Sequence, residues 1–185
     1  MWIWIVVGVL VVLVGIWVVA TYNGFVKLRN IVEESWRQID VELHRRYDLI
    51  PNLVETVKGY AAHERQTFEN VTAARAAAVS PGSGPAEQAA QENFLTAALR
   101  QLLAVAEAYP DLKANQNFLD LQNQLAETED RIAAGRRFYN ANVRTFNTKV
   151  ETFPPNIVAR LFNFSKAEYF EAEDPTVRAA PEVRF

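Results

Sequence analysis

The sequence predicts an all-α protein: an N-terminal transmembrane helix followed by an antiparallel four-helix bundle with long, coiled-coil-like helices. Three observations predict it. None of the 19 Lys and Arg or 22 Asp and Glu residues lies before Lys27. Beyond that point apolar residues recur at steps of three and four, the helical period. From Phe118 to Phe146 a seven-residue apolar repeat runs without a miss. On this reading residues 1–26 form the anchor, 27–170 the bundle domain and 171–185 an extended C-terminal tail.

The anchor comes first. Of the first 26 residues, 21 are apolar. The run from Trp2 to Ala20, at about 1.5 Å per residue, nearly spans a ~30 Å hydrocarbon core, and Thr21 to Val26 complete it. Trp2 and Trp4 at one end, with Trp17 and Tyr22 at the other, match the aromatic belts of the two membrane interfaces. A cleaved signal peptide fits less well. There is no Lys or Arg in its leading region, and the apolar core is longer than that of a secretory signal. Lys27, Arg29 and Arg37 follow the span, so the positive-inside rule places the N-terminus outside and the following domain in the cytoplasm. Gly8 and Gly15 share one helix face, either as a packing surface for another span or as ordinary membrane-helix glycines.

The first stripe after the span is Leu28, Ile31, Val32, Trp36, Ile39 and Leu43. Arg45-Arg46 suits a helix C-terminus, where cations meet the negative end of the dipole, and Asp48 followed by Leu-Ile-Pro suits the start of the next helix. A turn is therefore expected at Asp48–Pro51, in preference to one long helix kinked at Pro51. The second stripe, Ile50, Leu53, Val54, Val57, Tyr60, Ala61, Phe68 and Val71, runs into Ala73 to Ala78. Ser80-Pro-Gly-Ser-Gly-Pro85 is the clearest loop. A third helix carries Phe94, Leu95, Ala98, Leu99, Leu102, Leu103 and Ala106 and stops at Tyr109-Pro110.

Asp111 is the expected cap of the fourth helix, which extends to about Val150 and is ended by Phe153-Pro154-Pro155. Its repeat comprises Phe118, Leu125, Ile132, Tyr139 and Phe146, with a partial second seam at Leu121, Thr128, Gly135, Val143 and Val150. A strict seven-residue period implies left-handed packing of near-parallel helices. No segment before position 150 alternates with period two, so no sheet is expected there. Amphipathic helices with short connections point to a bundle. The aromatic run Phe162, Phe164, Tyr169 and Phe170 is expected to fold back over one bundle end.

These residues together resemble the LemA family of bacterial membrane proteins. The uncharged span leads into Tyr22-Asn23, then into Arg45-Arg46-Tyr47-Asp48-Leu49-Ile50-Pro51-Asn52-Leu53 and Val57-Lys58-Gly59-Tyr60. Tyr109-Pro110-Asp111-Leu112-Lys113-Ala114 and Leu125-Ala126-Glu127-Thr128-Glu129 follow, and then Arg136-Arg137-Phe138-Tyr139-Asn140, Phe146-Asn147 and Phe153-Pro154. The resemblance covers roughly residues 20–170 and implies a single-pass anchor with a helical bundle. It supplies no catalytic residue, and some relatives are linked to organising internal membranes such as the magnetosome.

The chemistry-bearing residues point away from catalysis. A di-iron bundle site needs Glu-x-x-His on two helices, but Val41 stands three residues before His44 and Tyr60 three before His63. His63-Glu64 lacks the second His of a zinc-protease helix, and none of the four serines sits in Gly-x-Ser-x-Gly. There is no cysteine and no Gly-rich phosphate loop. Glu127, Glu129 and Asp130 lie beside Arg131, Arg136 and Arg137, which reads as an ion-paired helix face. Residues 27–79 carry eight positive and eight negative charges, which excludes a basic nucleic-acid surface there. No metal, cofactor, small-molecule substrate or nucleic acid is expected.

One positive site hypothesis remains. Arg45 and Arg46, beside Asp48 and Asn52, could contact a partner's carboxylate or tie down a bundle end. Asn140, Asn142 and Asn147 are either buried pairing groups or surface amides. The leading functional expectation is a non-enzymatic scaffold that sits in the bilayer through residues 1–26 and binds itself or other membrane proteins. The alternative is a regulatory partner of a membrane protease or envelope-stress system.

Overall fold

The structure, a computed structural model, describes residues 1–80 and 84–171. Residues 81–83, within the expected loop, and 172–185, most of the expected tail, lie outside the described residues. Among the described residues all regular structure is helical: α1 (Trp2–Lys58), α2 (Arg65–Val79), α3 (Pro85–Glu107), α4 (Pro110–Lys113), α5 (Gln116–Glu151) and α6 (Pro155–Leu161). The chain forms two compact units. The first comprises Met1–Ile39 and Gly135–Ala167, the second Asp40–Ala134 with the residues from Glu168.

Two boundaries differ from expectation. The turn expected at Asp48–Pro51 is absent, because α1 continues through it to Lys58. Proline has no N–H to give to the carbonyl four residues back, here that of Tyr47. That carbonyl instead accepts from Arg75 Nε of α2 at 2.8 Å. The break comes later, across 59–64. Gly59 weakens the helix there, and Glu64 N–H turns back to the Ala61 carbonyl at 3.1 Å before α2 begins. The fourth predicted helix is likewise not capped by Asp111. Pro110 starts the single turn α4, and α5 begins beyond Asn115, whose Oδ1 accepts from the Phe118 N–H at 3.1 Å. That bond satisfies one of the donors every helix start leaves unpaired.

In the first unit the apolar segment of α1 crosses no protein surface. An 18-residue window of it has mean hydropathy 3.0 and none of it is buried, so it is long and apolar enough to cross a membrane. Gly8 and Gly15 have nothing within 4 Å of where a side chain would start. Packing begins at Thr21 and Phe25. The Phe25 ring is fully buried, stacked on Phe164 at 4.9 Å and edge-on to Phe146 at 6.2 Å. Lys149 Nζ lies 4.8 Å over the same ring and occupies the space a side chain at Gly24 would need. Burial lowers the Lys149 pKa. Gly135 also serves close packing, with Ile39 Cγ1 3.0 Å from where its Cβ would be.

Beyond the cis Phe153–Pro154 peptide, α6 buries Val158 and Ala159. The chain then reverses at Asn163, whose φ of 57° lies in the left-handed region that asparagine tolerates. Phe164 N–H closes on the Ala159 carbonyl at 2.8 Å. Asn147 holds the end of this segment at two points, accepting from Ala167 N–H at 2.8 Å and donating to its carbonyl at 2.9 Å. It is one of the buried pairing amides left open above, and Asn140 is buried too. Asn142 is half-buried and donates to Ser35 Oγ at 3.4 Å.

In the second unit, α1 contributes Leu43, Tyr47, Ile50, Leu53 and Val57 to the core. α2 adds Phe68, Val71, Ala74 and Ala78 and packs on α3, which adds Leu95, Leu99, Leu102 and Ala106. From α5 come Phe118, Leu125, Thr128 and Ile132. Every member of the seven-residue repeat is buried, Tyr139 and Phe146 in the first unit and the others in the second.

The Pro51–Arg75 arrangement yields a double-mutant test. Arg75→Met orphans the Tyr47 carbonyl and is expected to destabilise the protein by about 1–3 kcal/mol. Pro51→Ala in that background restores an N–H to the carbonyl and recovers most of the loss in denaturant unfolding. Purely additive effects would show that Arg75 does not substitute for the missing amide.

Candidate functional site

The second unit has a charged interior. Arg46 and Glu92 each expose 1 % of their surface. Both stand in phase with apolar stripes: Arg46 between Leu43 and Ile50 on α1, Glu92 between Ala89 and Leu95 on α3. The helical period therefore forces both side chains inward. Arg46 Nη1 lies 3.5 Å from Glu92 Oε2 and 2.9 Å from Glu129 Oε1 of α5, and Nη2 donates to Thr96 Oγ1 at 2.8 Å. One guanidinium thus ties its own helix α1 to residues of α3 and α5.

Tyr47 extends the cluster. Its hydroxyl donates to Glu92 Oε1 and lies 3.3 Å from the Ala78 carbonyl. Gln88 Nε2 donates to Glu92 Oε1 at 2.9 Å and to the Ala78 carbonyl at 3.0 Å. The Ala78 carbonyl belongs to the last turn of α2, where no intrahelical donor remains, so Gln88 does the work of a C-terminal cap. Burial, followed by the hydrogen bond to Glu92 and its charge, pushes the Tyr47 pKa well up. The phenol therefore stays protonated and serves as a donor.

This arrangement is suited to holding helices in register. A buried ion pair adds little net stability relative to an apolar pair, but it heavily penalises any slip that separates the partners. Among the described residues there is no group of three or more His, Cys, Asp and Glu placed to hold a metal ion.

The four residues singled out from sequence do not form one site. Arg46 points into the core. Arg45, Asp48 and Asn52 are exposed on the other side of α1, at helical positions three and four apart, where they line a shallow depression of about 660 Å³ with Asp40, His44 and Gln124. Sequence reasoning missed Tyr47, Gln88, Glu92 and Thr96. The signal was available: two opposite charges each fall in an apolar stripe, and a charge in that phase needs a partner.

The ion-paired face expected near Glu127 is present in part. Arg131 bonds Glu127 at 2.5 Å and approaches Glu42 of α1 at 3.6 Å. The Arg131 interactions lower the Glu127 pKa. The first unit offers a second concavity, a groove of about 570 Å³ lined by Val26, Asn30, Ile31, Glu34, Gln38 and Phe138. Phe138 is 54 % exposed at its edge.

Helices throughout the described residues, one of them long and apolar enough to cross a membrane, and a polar cluster buried among them define a structural class. The sequence profile of the LemA family matches residues 35–185, and the chain belongs to that family. It is similar to magnetosome proteins MamQ 1 and MamQ 2 of Paramagnetospirillum magneticum, each 29 % identical over 175 residues, covering 81 % of this chain. It is also similar to protein LemA of Metamycoplasma hominis, 26 % identical over 155 residues that cover 82 % of this chain and 69 % of the relative. The match spans 64 % of the length of each of these MamQ proteins.

Two substitutions test the lock. Arg46→Met leaves Glu92 buried without its cation and is expected to cost about 3–5 kcal/mol, whereas Arg46→Met with Glu92→Leu costs much less. Tyr47→Phe is expected to cost about 1–3 kcal/mol. Because the folded-state pKa of Tyr47 is raised, its contribution is complete below the ordinary tyrosine pKa of about 10 and fades as pH rises above it. The stability difference between wild type and Tyr47→Phe, measured in urea, should therefore narrow above pH ~10. A difference independent of pH would mean that the phenol does not titrate with folding.

Proposed function

We propose that this protein is a membrane-anchored scaffold without enzymatic activity. Its residues 27–170 make a four-helix bundle, and it associates laterally with a second copy in a bacterial inner membrane. The observation that carries the reading is the form of α1. A fully unburied apolar segment continues without a break into the helix that supplies the cores of the folded units. Such a helix is an anchor and a structural member at once. Lys27 and Arg29 at its inner flank support an outside N-terminus and a cytoplasmic domain. The relatives' description as magnetosome proteins supports a role at a membrane.

The groove beside Phe138 supports a second copy as the partner. It begins at Asn23, at the end of the apolar segment, so every copy anchored in the same bilayer presents it at the same height. Confinement to a plane raises the local concentration and makes a modest interface sufficient. Exposed Phe138 is the kind of aromatic anchor on which such interfaces rest.

Purified in detergent, the full chain should elute well above its 20.9 kDa monomer mass. The chain has no native cysteine, so Asn30→Cys should give a disulfide-linked dimer when isolated native membranes are treated with copper phenanthroline as oxidant. Phe138→Ala should weaken the dimer at least ~10-fold, equivalent to about 1.4 kcal/mol. A strictly monomeric profile without crosslinking through the groove would overturn self-association.

A further inference from the structure

The corner formed by α6 carries an apolar surface that the fold does not use. Phe153 lies in the turn just before α6, and Ile157 and Leu161, four apart within it, share one helix face. They are 74 %, 54 % and 68 % exposed, and Phe162 beside them is 45 % exposed. The inner side of the same short helix is fully engaged through Val158 and Ala159. The exposure is not fraying, because the Asn147–Ala167 clamp and the Phe164–Ala159 bond hold the corner in place. Scattered apolar residues on a surface need no explanation, but four exposed ones gathered on one rigid corner do.

Its position within the first unit identifies what covers it. The Phe162 ring meets the Tyr22 ring at 4.8 Å, and Phe164 lies 5.7 Å from the same tyrosine. Tyr22 closes the apolar segment of α1. Trp17, the other aromatic of that end, is about 7.5 Å earlier along the axis, and the first charge, Lys27, about 7.5 Å later. The corner is therefore at the level where an anchored helix passes from acyl chains to headgroups. The charges around it have one dominant sign. Residues 21–32 and 148–167 contain Lys27, Arg29, Lys149, Arg160 and Lys166 against the single carboxylate Glu151, which Lys166 pairs. In the next turn Glu33 approaches Arg29 at 3.9 Å. Arg160 sits within α6 itself, where a long cationic side chain can reach headgroups while the apolar residues enter below them.

We propose that the α6 corner is a second membrane contact. Phe153, Ile157, Leu161 and Phe162 enter the interfacial layer of the bilayer that α1 crosses, and the surrounding cations face anionic headgroups. This inference rests on the reading of α1 as a membrane span.

The absence of native cysteine allows the test on the full chain, reconstituted in bilayers of phosphatidylcholine and phosphatidylglycerol. Spin labels are placed singly at Ile157→Cys, Leu161→Cys, Val11→Cys and Val41→Cys, all exposed sites. Relaxation by oxygen and by a water-soluble nickel chelate then gives depth. Labels at 157 and 161 should report a depth of about 5–10 Å below the headgroups, with Val11 far deeper and Val41 in water. Adding phosphatidylglycerol to pure phosphatidylcholine should deepen 157 and 161 without moving Val11. Labels at 157 and 161 as chelate-accessible as Val41, with Val11 still deep, would overturn the contact and leave the span intact. Labels shielded from both reagents would also overturn it, because a protein surface would then cover the corner. A water-accessible Val11 would remove the span and this contact together.

Discussion

A guanidinium buried to 1 % exposure must find negative charge and hydrogen-bond acceptors, since an uncompensated buried ion costs several kcal/mol. Arg46 meets that constraint with Glu92, Glu129 and Thr96, and the rest of the second unit is arranged around the solution. Glu92 Oε1 also accepts hydrogen bonds from Tyr47 and Gln88. Gln88 in turn satisfies the carbonyl at the end of α2. A single charge in an apolar stripe thus determines which residues stand opposite it on α3 and α5, and where α2 can end. Hydrophobic burial drives the collapse of these helices but does not discriminate between registers one turn apart. The polar cluster does.

The same region shows why local sequence signals misplace boundaries. Arg45-Arg46 resembles a helix end and Asp48-x-x-Pro51 a helix start, because in isolation both are favourable there. Each feature has a tertiary use instead. Arg46 is a core cation, and the carbonyl that Pro51 leaves bare is filled by Arg75. The donor that rescues this carbonyl comes from a residue 28 positions away, which no local window contains. The cap of α5 is Asn115 and not Asp111 for a related reason. Both can cap, and only the extra turn of α4 decides which one stands at the start of α5. Periodic apolar patterns were readable because they depend on the helix alone. The seven-residue repeat is buried at every position, and the uncharged segment is as unpacked as its composition requires.

The candidate site was readable to a lesser degree. Arg45, Asp48 and Asn52 were grouped with Arg46 through proximity in sequence, yet a step of one residue turns about 100° around a helix and separates Arg46 from the others. Glu92 carries no local mark, and its role follows only from its phase on α3. A charge in phase with an apolar stripe on one helix, matched by an opposite charge in phase on another, is more informative here than any contiguous motif.

On the proposed reading, a scaffold held at a membrane also has to control its tilt. One transmembrane helix restrains depth but leaves the attached unit free to lean and rotate. The aromatic corner of the first unit bears on that freedom through Tyr22, Phe25 and Phe164, which join α1 to the segment after α6 just beyond the apolar run. A contact displaced from the helix axis resists leaning as a second foot does, and the resistance grows with the apolar area set into the interface. With the proposed α6 contact in place, the groove beside Phe138 is held at a fixed height and facing along the membrane plane. If copies associate through that groove as proposed, they would meet already oriented, and less rotational freedom would be lost.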